Sequence, residues 1–332
     1  MGTPNDPASP TARPEPSLVS IVVPVYNEAE NIGPLAKAIA EALGAQKYEL
    51  ILVDDGSTDD SFRRIGDLAA SDPRIVGLSL ARNFGKQCAL SGGLSFARGD
   101  VIITMDGDLE HPPALVPELI AKWRKGYNVV QTLRLDPDDT PFLKRLCSRA
   151  FHGVFSAITG IRMEPGACDY GLIDRVVLAE LLRIHEGDLF LRGLLAWMGY
   201  RGTTVPFRRG TRLTGRSKYP LPNLLRVARS ALFSFSTVPL RIGIIVGLVT
   251  ALASIAELVY VLIVRLAGRP VPGWTSTMVV LTVLMSVLFI LLGVQGEYIL
   301  RIYERVQRRP SFLVERIVAQ TARKPGGRTP PA

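Results

Sequence analysis

The stretch VIITMDGDLEHPP (101–113) places Asp106 and Asp108 two residues apart, with Glu110 two further on. Carboxylates crowded in this way repel one another unless a cation sits among them. Hard oxygen ligands at this spacing suit Mg²⁺ or Mn²⁺, which keep waters and complete their shell with substrate phosphate. Gly107 relaxes the turn between the aspartates, so both carboxylates reach one cleft. A second acidic pair, Asp54 and Asp55, stands in VDDGS (53–57). An isolated Asp-x-Asp is usually a solvated turn. One that closes a buried strand, with a second acidic pair two strands earlier, is a metal and phosphate site. The opposite charge is concentrated in RRGTRLTGRSK (208–218), which holds Arg208, Arg209, Arg212, Arg216 and Lys218. Arginine forks match phosphate oxygens two at a time, and lysine adds a point charge.

The 332 residues carry 39 Lys and Arg against 30 Asp and Glu, a net charge of +9. That excess implies an anionic partner: nucleic acid, a phosphorylated substrate or a membrane surface. No aromatic or groove-reading motif accompanies the charge, so nucleic acid is set aside. Cys88, Cys147 and Cys168 show no CxxC spacing, which excludes a zinc site or disulfide framework and favours reduced, cytoplasm-facing thiols. His111 and His185 read as ordinary loop histidines.

Something must bring these groups together. Short, continuously apolar runs recur at 18–26, 48–55, 74–81 and 100–108, separated by helix-like stretches. Strands apolar on both faces are covered by helices on both sides, which predicts an α/β fold with a doubly wound, mainly parallel sheet. Ligands of such sheets sit beyond the carboxyl ends of the strands. The polar clusters YNE, DDGSTDD, RNFGK and DGDLE fall there in turn. No GxGxxG follows the first strand, so the site is not one for a dinucleotide.

Residues 1–17 are Pro-rich and polar and read as a disordered tail. The catalytic domain is expected over 18–220. Residues 142–160 and 221–237 carry apolar positions at helical spacing beside arginines, as helices lying at a membrane interface do. About 238–264 and 274–300 are apolar runs longer than the ~20 residues that cross a bilayer, broken by Glu257 and Glu297. Glu257 is expected to face the other helix or another subunit. Both flanks of the hairpin are basic, which puts both termini, and the basic tail 301–332, on the cytoplasmic side of a multi-pass protein.

The segments IVVPVYNEAENI, ILVDDGSTDDS, ARNFGKQCAL and MDGDLEHPP together resemble the family 2 inverting glycosyltransferases of GT-A fold. More narrowly, the chain resembles the polyprenyl-phosphate glycosyltransferases, over about residues 20 to 315. EGDLFLRGLLAWMGYRG and FRRGTRLTGRSKYPL extend the likeness to bacterial members with two C-terminal spans. The resemblance implies a nucleotide-sugar donor, UDP- or GDP-linked, a polyprenyl-phosphate acceptor such as undecaprenyl phosphate, contact with membrane lipid, and a homo-oligomer such as a tetramer. It implies that Pro24, Tyr26, Glu28 and Val53 hold the nucleotide. Asp54 or Asp55 would accept a hydrogen bond from a base N–H, which uracil and guanine both offer. Asp106, Gly107, Asp108 and Glu110 would hold metal and diphosphate, although the family more often has an amide at position 110. Arg134 would lie on the diphosphate side. Asp169 would be the catalytic aspartate, as base or as orienter; Gly171 stands where the family commonly has Arg or Lys. Arg212 and Lys218 would meet the acceptor phosphate, and Arg208 and Arg216 the lipid surface. A processive polysaccharide synthase is the nearest rival, but two spans and no QxxRW motif speak against it. A non-catalytic scaffold would not need an intact acidic pair.

Overall fold

The computed structural model describes residues 12–135, 166–184, 191–207, 238–267, 273–307 and 309–320. The basic run 208–218 with Arg212 and Lys218, the interface stretches 142–160 and 221–237, Cys147 and His185 lie outside the described residues.

Four strands form the centre of one sheet. β1 (Val19–Val25), β2 (Tyr48–Asp54), β3 (Ile75–Leu80) and β4 (Val101–Thr104) pair in parallel in the order β4-β1-β2-β3. Every residue in them is buried, as their unbroken apolar runs require. Successive side chains alternate between faces. Val19, Ile21, Val23 and Val25 of β1 enter a core with Ile32, Leu35, Ile39 and Leu43 of α1 (Ala29–Leu43). On the other face, Val22 and Val53 press against Gly93 of α3 (Lys86–Phe96). α2 (Ser61–Ser71) and α4 (Val116–Arg124) add Ile65, Leu119, Ile120 and Trp123 to the first core.

The sheet extends further than the four runs foretell. β5 (Val129–Arg134), β6 (Ala167–Asp174), β7 (Gly202–Phe207) and β8 (Val314–Val318) complete the order β7-β5-β6-β4-β1-β2-β3-β8. β5 and β7 are parallel to each other, whereas β6 is antiparallel to both β4 and β5, and β8 is antiparallel to β3. The result is a mixed, mainly parallel sheet of GT-A type. Its antiparallel members have a positional consequence. Because β6 runs against β4, the start of β6 reaches the same edge as the end of β4: Thr104 lies opposite Gly171, with Asp169 just beyond. The ends of β5 and β7 arrive there as well. Gly171 itself lies so close to β5 that a Cβ would press on the Val130 carbonyl, which accounts for the absence of a long side chain there. α5 (Arg175–Leu181) and α6 (Leu191–Met198) follow β6.

The chain divides into two compact units, one holding the sheet, β8 included, and the other holding α7 (Val238–Leu266) and α8 (Trp274–Val306). Ile242–Val264 and Val280–Leu300 are long and apolar enough to cross a membrane, and their large apolar side chains are exposed. The hydroxyls of Thr250, Ser254 and Ser286 donate to carbonyls four residues back, so they leave no donor facing hydrocarbon. Gly243 and Gly247, one turn apart, let Leu291 of α8 approach closely. Glu257 is exposed and does not face α8 as a buried partner.

β8 packs through Val318 against the core, directly over Gly77 of β3, where a Cβ would collide with Ile65 and Val318. Gly77→Ala is therefore expected to cost about 1–3 kcal/mol, read as a lower melting temperature of the full chain. Adding Val318→Ala should restore part of that loss. An unchanged melting temperature in the single variant would mean that β8 is not seated on β3.

Candidate active site

At the carboxyl edge of the sheet, the loops after β1 and β2 are stitched together. Asn27, at φ +53°, adopts the left-handed conformation that asparagine tolerates. Its backbone N–H donates to Ser57 Oγ at 2.9 Å, and its Oδ1 accepts from the Thr58 backbone at 2.8 Å. The Glu28 backbone donates to Ser61 Oγ at 3.0 Å. Tyr26 remains exposed at the mouth. Pro24 lies opposite Val53 in the β1–β2 register and beyond the last β1–β4 pair, so its missing N–H costs no bond on the β4 side.

Asp54 and Asp55 are both buried, and burial, before any neighbour, pushes both above the usual carboxylate range. Their tasks differ. Asp55 accepts from the backbones of Phe84 at 2.8 Å and Gly85 at 2.9 Å, one on each oxygen, and so ties the β3–α3 loop to the end of β2. Asp54 Oδ1 accepts from the Ser57 backbone at 3.2 Å.

The acidic loop after β4 closes on this frame. Gly107 abuts Glu28, and a Cβ would strike its carboxylate. Leu109, at φ +60°, holds a conformation costly for a branched side chain. That turn lets the Glu110 backbone donate to Asp108 Oδ1 at 3.1 Å. Burial, then the charges of Asp106 and Glu110, raise Asp108 above its ordinary pKa. His111 is no bystander here. Its Nδ1 accepts the Asp106 backbone N–H at 3.1 Å, which puts the ring proton on Nε2, and burial keeps the ring neutral by lowering its pKa. The ring stacks on Tyr170 of β6 and meets Phe207 of β7 edge-on.

Asp169 faces Asp106 across a lysine. Lys86 Nζ lies 2.6 Å from Asp106 Oδ1 and 3.3 Å from Asp169 Oδ2. Gln87 donates to Asp169 Oδ2 at 3.1 Å, and Arg192 Nε of α6 lies 3.0 Å from Oδ1. Burial alone would raise the Asp169 pKa, but Arg192 and Lys86 outweigh it and hold the carboxyl below its usual range. Likewise, burial would lower Lys86, and Asp106 and Asp169 instead hold it above the ordinary lysine value. Arg134 ends β5 exposed at this edge; burial raises the pKa of the Cys168 thiol, and the Arg134 charge offsets only part of that. Among the described residues, no three His, Cys, Asp or Glu side chains converge as a ready metal cage.

Sequence reasoning thus named the acids and passed over Lys86, Gln87, Arg192 and the work of His111. The signal for the first two was present: RNFGK ends the third strand at the ligand edge, so its lysine had to begin a helix there.

This sheet, with acids massed at its carboxyl edge, defines a glycosyltransferase fold of GT-A type. Residues 20–177 match Glycosyl transferase family 2, and the chain belongs to that family. It is 38% identical over 299 residues to an uncharacterized glycosyltransferase of Synechocystis sp., covering 89% of this chain and 94% of that one. It is 37% identical over 301 residues to a prophage-derived bactoprenol glucosyl transferase of Shigella flexneri, covering 90% and 97%. Over 310 residues it is 34% identical to an undecaprenyl-phosphate 4-deoxy-4-formamido-L-arabinose transferase of an Enterobacter species, covering 91% and 94%.

Asp55→Ala should strand the Phe84 and Gly85 N–H groups, costing about 1–3 kcal/mol. Freeing Lys86 from its place should also slow glycosyl transfer by about tenfold or more. Thermal melting and initial rates on the same preparation check both, and a variant with full rate would release Asp55 from this role.

Proposed function

We propose that the chain transfers a hexose-type sugar from a UDP- or GDP-linked donor to a membrane polyprenyl phosphate, undecaprenyl phosphate or similar. Transfer inverts the anomeric carbon and uses Mg²⁺ or Mn²⁺. One observation carries the reading. A single sheet edge gathers Asp54, Asp55, Asp106, Asp108 and Asp169, in a chain that aligns over nine-tenths of its length with relatives named for bactoprenol and undecaprenyl phosphate.

Asp106 and Asp108 fit a hard divalent ion: they are oxygen donors, and Asp108, raised by burial and then by the charges of Asp106 and Glu110, would be stabilised in its ionised form by a cation. Glu110 adds charge behind them. Bound there, the ion supplies Lewis-acid stabilisation for the departing nucleoside diphosphate. The remaining work falls to the chain. Tyr26, Pro24, Val53 and Glu28 frame the nucleotide. Asp55 spends both oxygens on the loop, which leaves the base edge to Asp54. Arg134 serves the diphosphate side. The acceptor, a phosphate monoester with a second pKa near ~6, is mostly dianionic at neutral pH and needs no strong base. Asp169, already paired with two cations, is a poor proton acceptor; it sets their position and the local field. β7 ends at Phe207, against His111 of the acidic loop. Arg212 and Lys218, later in the chain, are assigned to the acceptor phosphate by their charge and by the family resemblance alone.

The membrane setting rests on connectivity. The chain leaves the sheet after β7, forms two membrane-length helices and returns as β8 of the same sheet. An even number of crossings brings both ends of the hairpin to one side, and the basic flanks make that side cytoplasmic. Glu257, exposed in a single chain, suits contact with a second copy in a homo-oligomer.

The test is transfer of labelled sugar from UDP- and GDP-sugars into organic-extractable lipid, with undecaprenyl phosphate and Mg²⁺ or Mn²⁺. Asp108→Asn should abolish transfer in a folded protein, and undiminished transfer in excess chelator would discard the metal assignment. Arg212→Ala and Lys218→Ala should each raise the KM for the lipid by about tenfold, as loss of one charged hydrogen bond does.

The pH profile distinguishes the roles of Asp169. Raising pH through about 6 deprotonates the acceptor and should raise kcat/KM to a plateau. Asp169, held low, is ionised throughout and adds no limb of its own. An acid limb that disappears in Asp169→Asn would make the aspartate the base.

A further inference from the structure

Lys86 opens α3 at the end where the helix dipole disfavours a cation, and no acidic residue occupies that first turn to compensate. Its placement is therefore explained by what lies across the cleft. The Asp55 clamp on Phe84 and Gly85 fixes the chain immediately before it, and Gly85, at φ +95°, turns the helix start toward the edge. The ammonium then sits between Asp106 at 2.6 Å and Asp169 at 3.3 Å, while 40% of the side chain remains accessible. Asp106 is thus already paired with a cation belonging to the protein.

We propose that Lys86 is a built-in counter-ion of the acidic site: it occupies Asp106 when donor is absent, and so makes binding of a divalent ion depend on the nucleoside diphosphate. The inference rests on Asp106 and Asp108 being the metal ligands. Two observations carry it. The lysine takes an oxygen of Asp106 that a metal would need. Asp169 offers the ammonium a second partner on the far side, held in place by Arg192 and Gln87, so Lys86 can yield Asp106 and remain paired.

A divalent ion arriving alone has to take Asp106 from the ammonium and place two cations close together. An ion arriving with a diphosphate brings negative charge that offsets both. Metal and nucleotide therefore reinforce each other, and by linkage the reinforcement is the same in either order of binding. Lys86 is on this account a positioning residue whose effect appears in metal affinity before any turnover.

The experiment measures free Mn²⁺ by electron paramagnetic resonance during titration of the purified full chain, first without nucleotide and then with UDP or GDP. Lys86→Met is expected to bind Mn²⁺ alone about fivefold more tightly or better than wild type, and the tightening produced by nucleotide should shrink by a similar factor. Lys86→Arg, which keeps the charge, should stay within about twofold of wild type. A merely structural lysine predicts the opposite, since losing it would loosen the acids and weaken the metal. If wild type binds Mn²⁺ and Lys86→Met, melting like wild type, binds it equally or less well, the counter-ion role is overturned and the metal reading survives. If Lys86→Met melts early, Lys86→Gln decides by the same comparison. If wild type and Lys86→Met both bind no Mn²⁺ even with nucleotide, the metal reading falls and this one with it.

Discussion

Mutual repulsion among carboxylates is the constraint around which this site is built. Asp54, Asp55, Asp106, Asp108 and Asp169 share one edge of one sheet, the first two buried and the others half-buried, where an uncompensated charge is expensive. The protein answers each one differently. Asp55 is neutralised by main-chain N–H groups, Asp169 by Arg192, Lys86 and Gln87, and Asp106 by Lys86. Asp108 receives the Glu110 backbone, and burial first, then its acidic neighbours, raise its pKa. The graded compensation separates acids that hold the frame from the acids proposed to take a cation. It also makes the frame sensitive to small backbone changes: Gly107 against Glu28 and Leu109 in a left-handed turn leave the acidic loop little freedom.

Much of this could be read from the chain in advance, for a physical reason. Strands covered on both faces cannot alternate, so β1 to β4 stand out as solid apolar runs, and the polar residues after them must lie at the ligand edge. The readings 18–26, 48–55 and 74–81 fall within a residue of Val19–Val25, Tyr48–Asp54 and Ile75–Leu80. β4 stops sooner than its run, at Thr104, because Met105 already leaves the ladder with β6 to carry Asp106 into the cleft. The acids were legible because two carboxylates so close together at the end of a buried strand call for a cation between them.

What stayed hidden was tertiary. Lys86 is one lysine among many until β4 and β6 bring Asp106 and Asp169 to it, and Arg192 reaches Asp169 from a helix that follows β6. His111 looked ordinary because its role is to accept one backbone N–H, a bond that leaves no mark on spacing. β8 was hidden in a different way. VERIV is short, half exposed and charged at its centre, as an edge strand should be to resist pairing with other chains, and it sits in a basic tail far from its partner β3.

β8 also ties two physical problems together. Without it, β3 would present an open edge, and the sheet would invite association through its unpaired backbone. The strand that closes this edge follows α8 in the chain. Its register sets Arg316 opposite Ser79, which lies opposite Asp54. The Arg316 charge is felt at Asp54, where it lowers a pKa that burial raises, and the guanidinium rests on the Phe62 ring. One edge strand therefore brings a positive charge to bear on Asp54, the carboxylate proposed to meet the nucleotide base. Displacing β8 would cost more than an edge: it would remove a positive charge from beside a buried acid and make that acid harder to keep ionised.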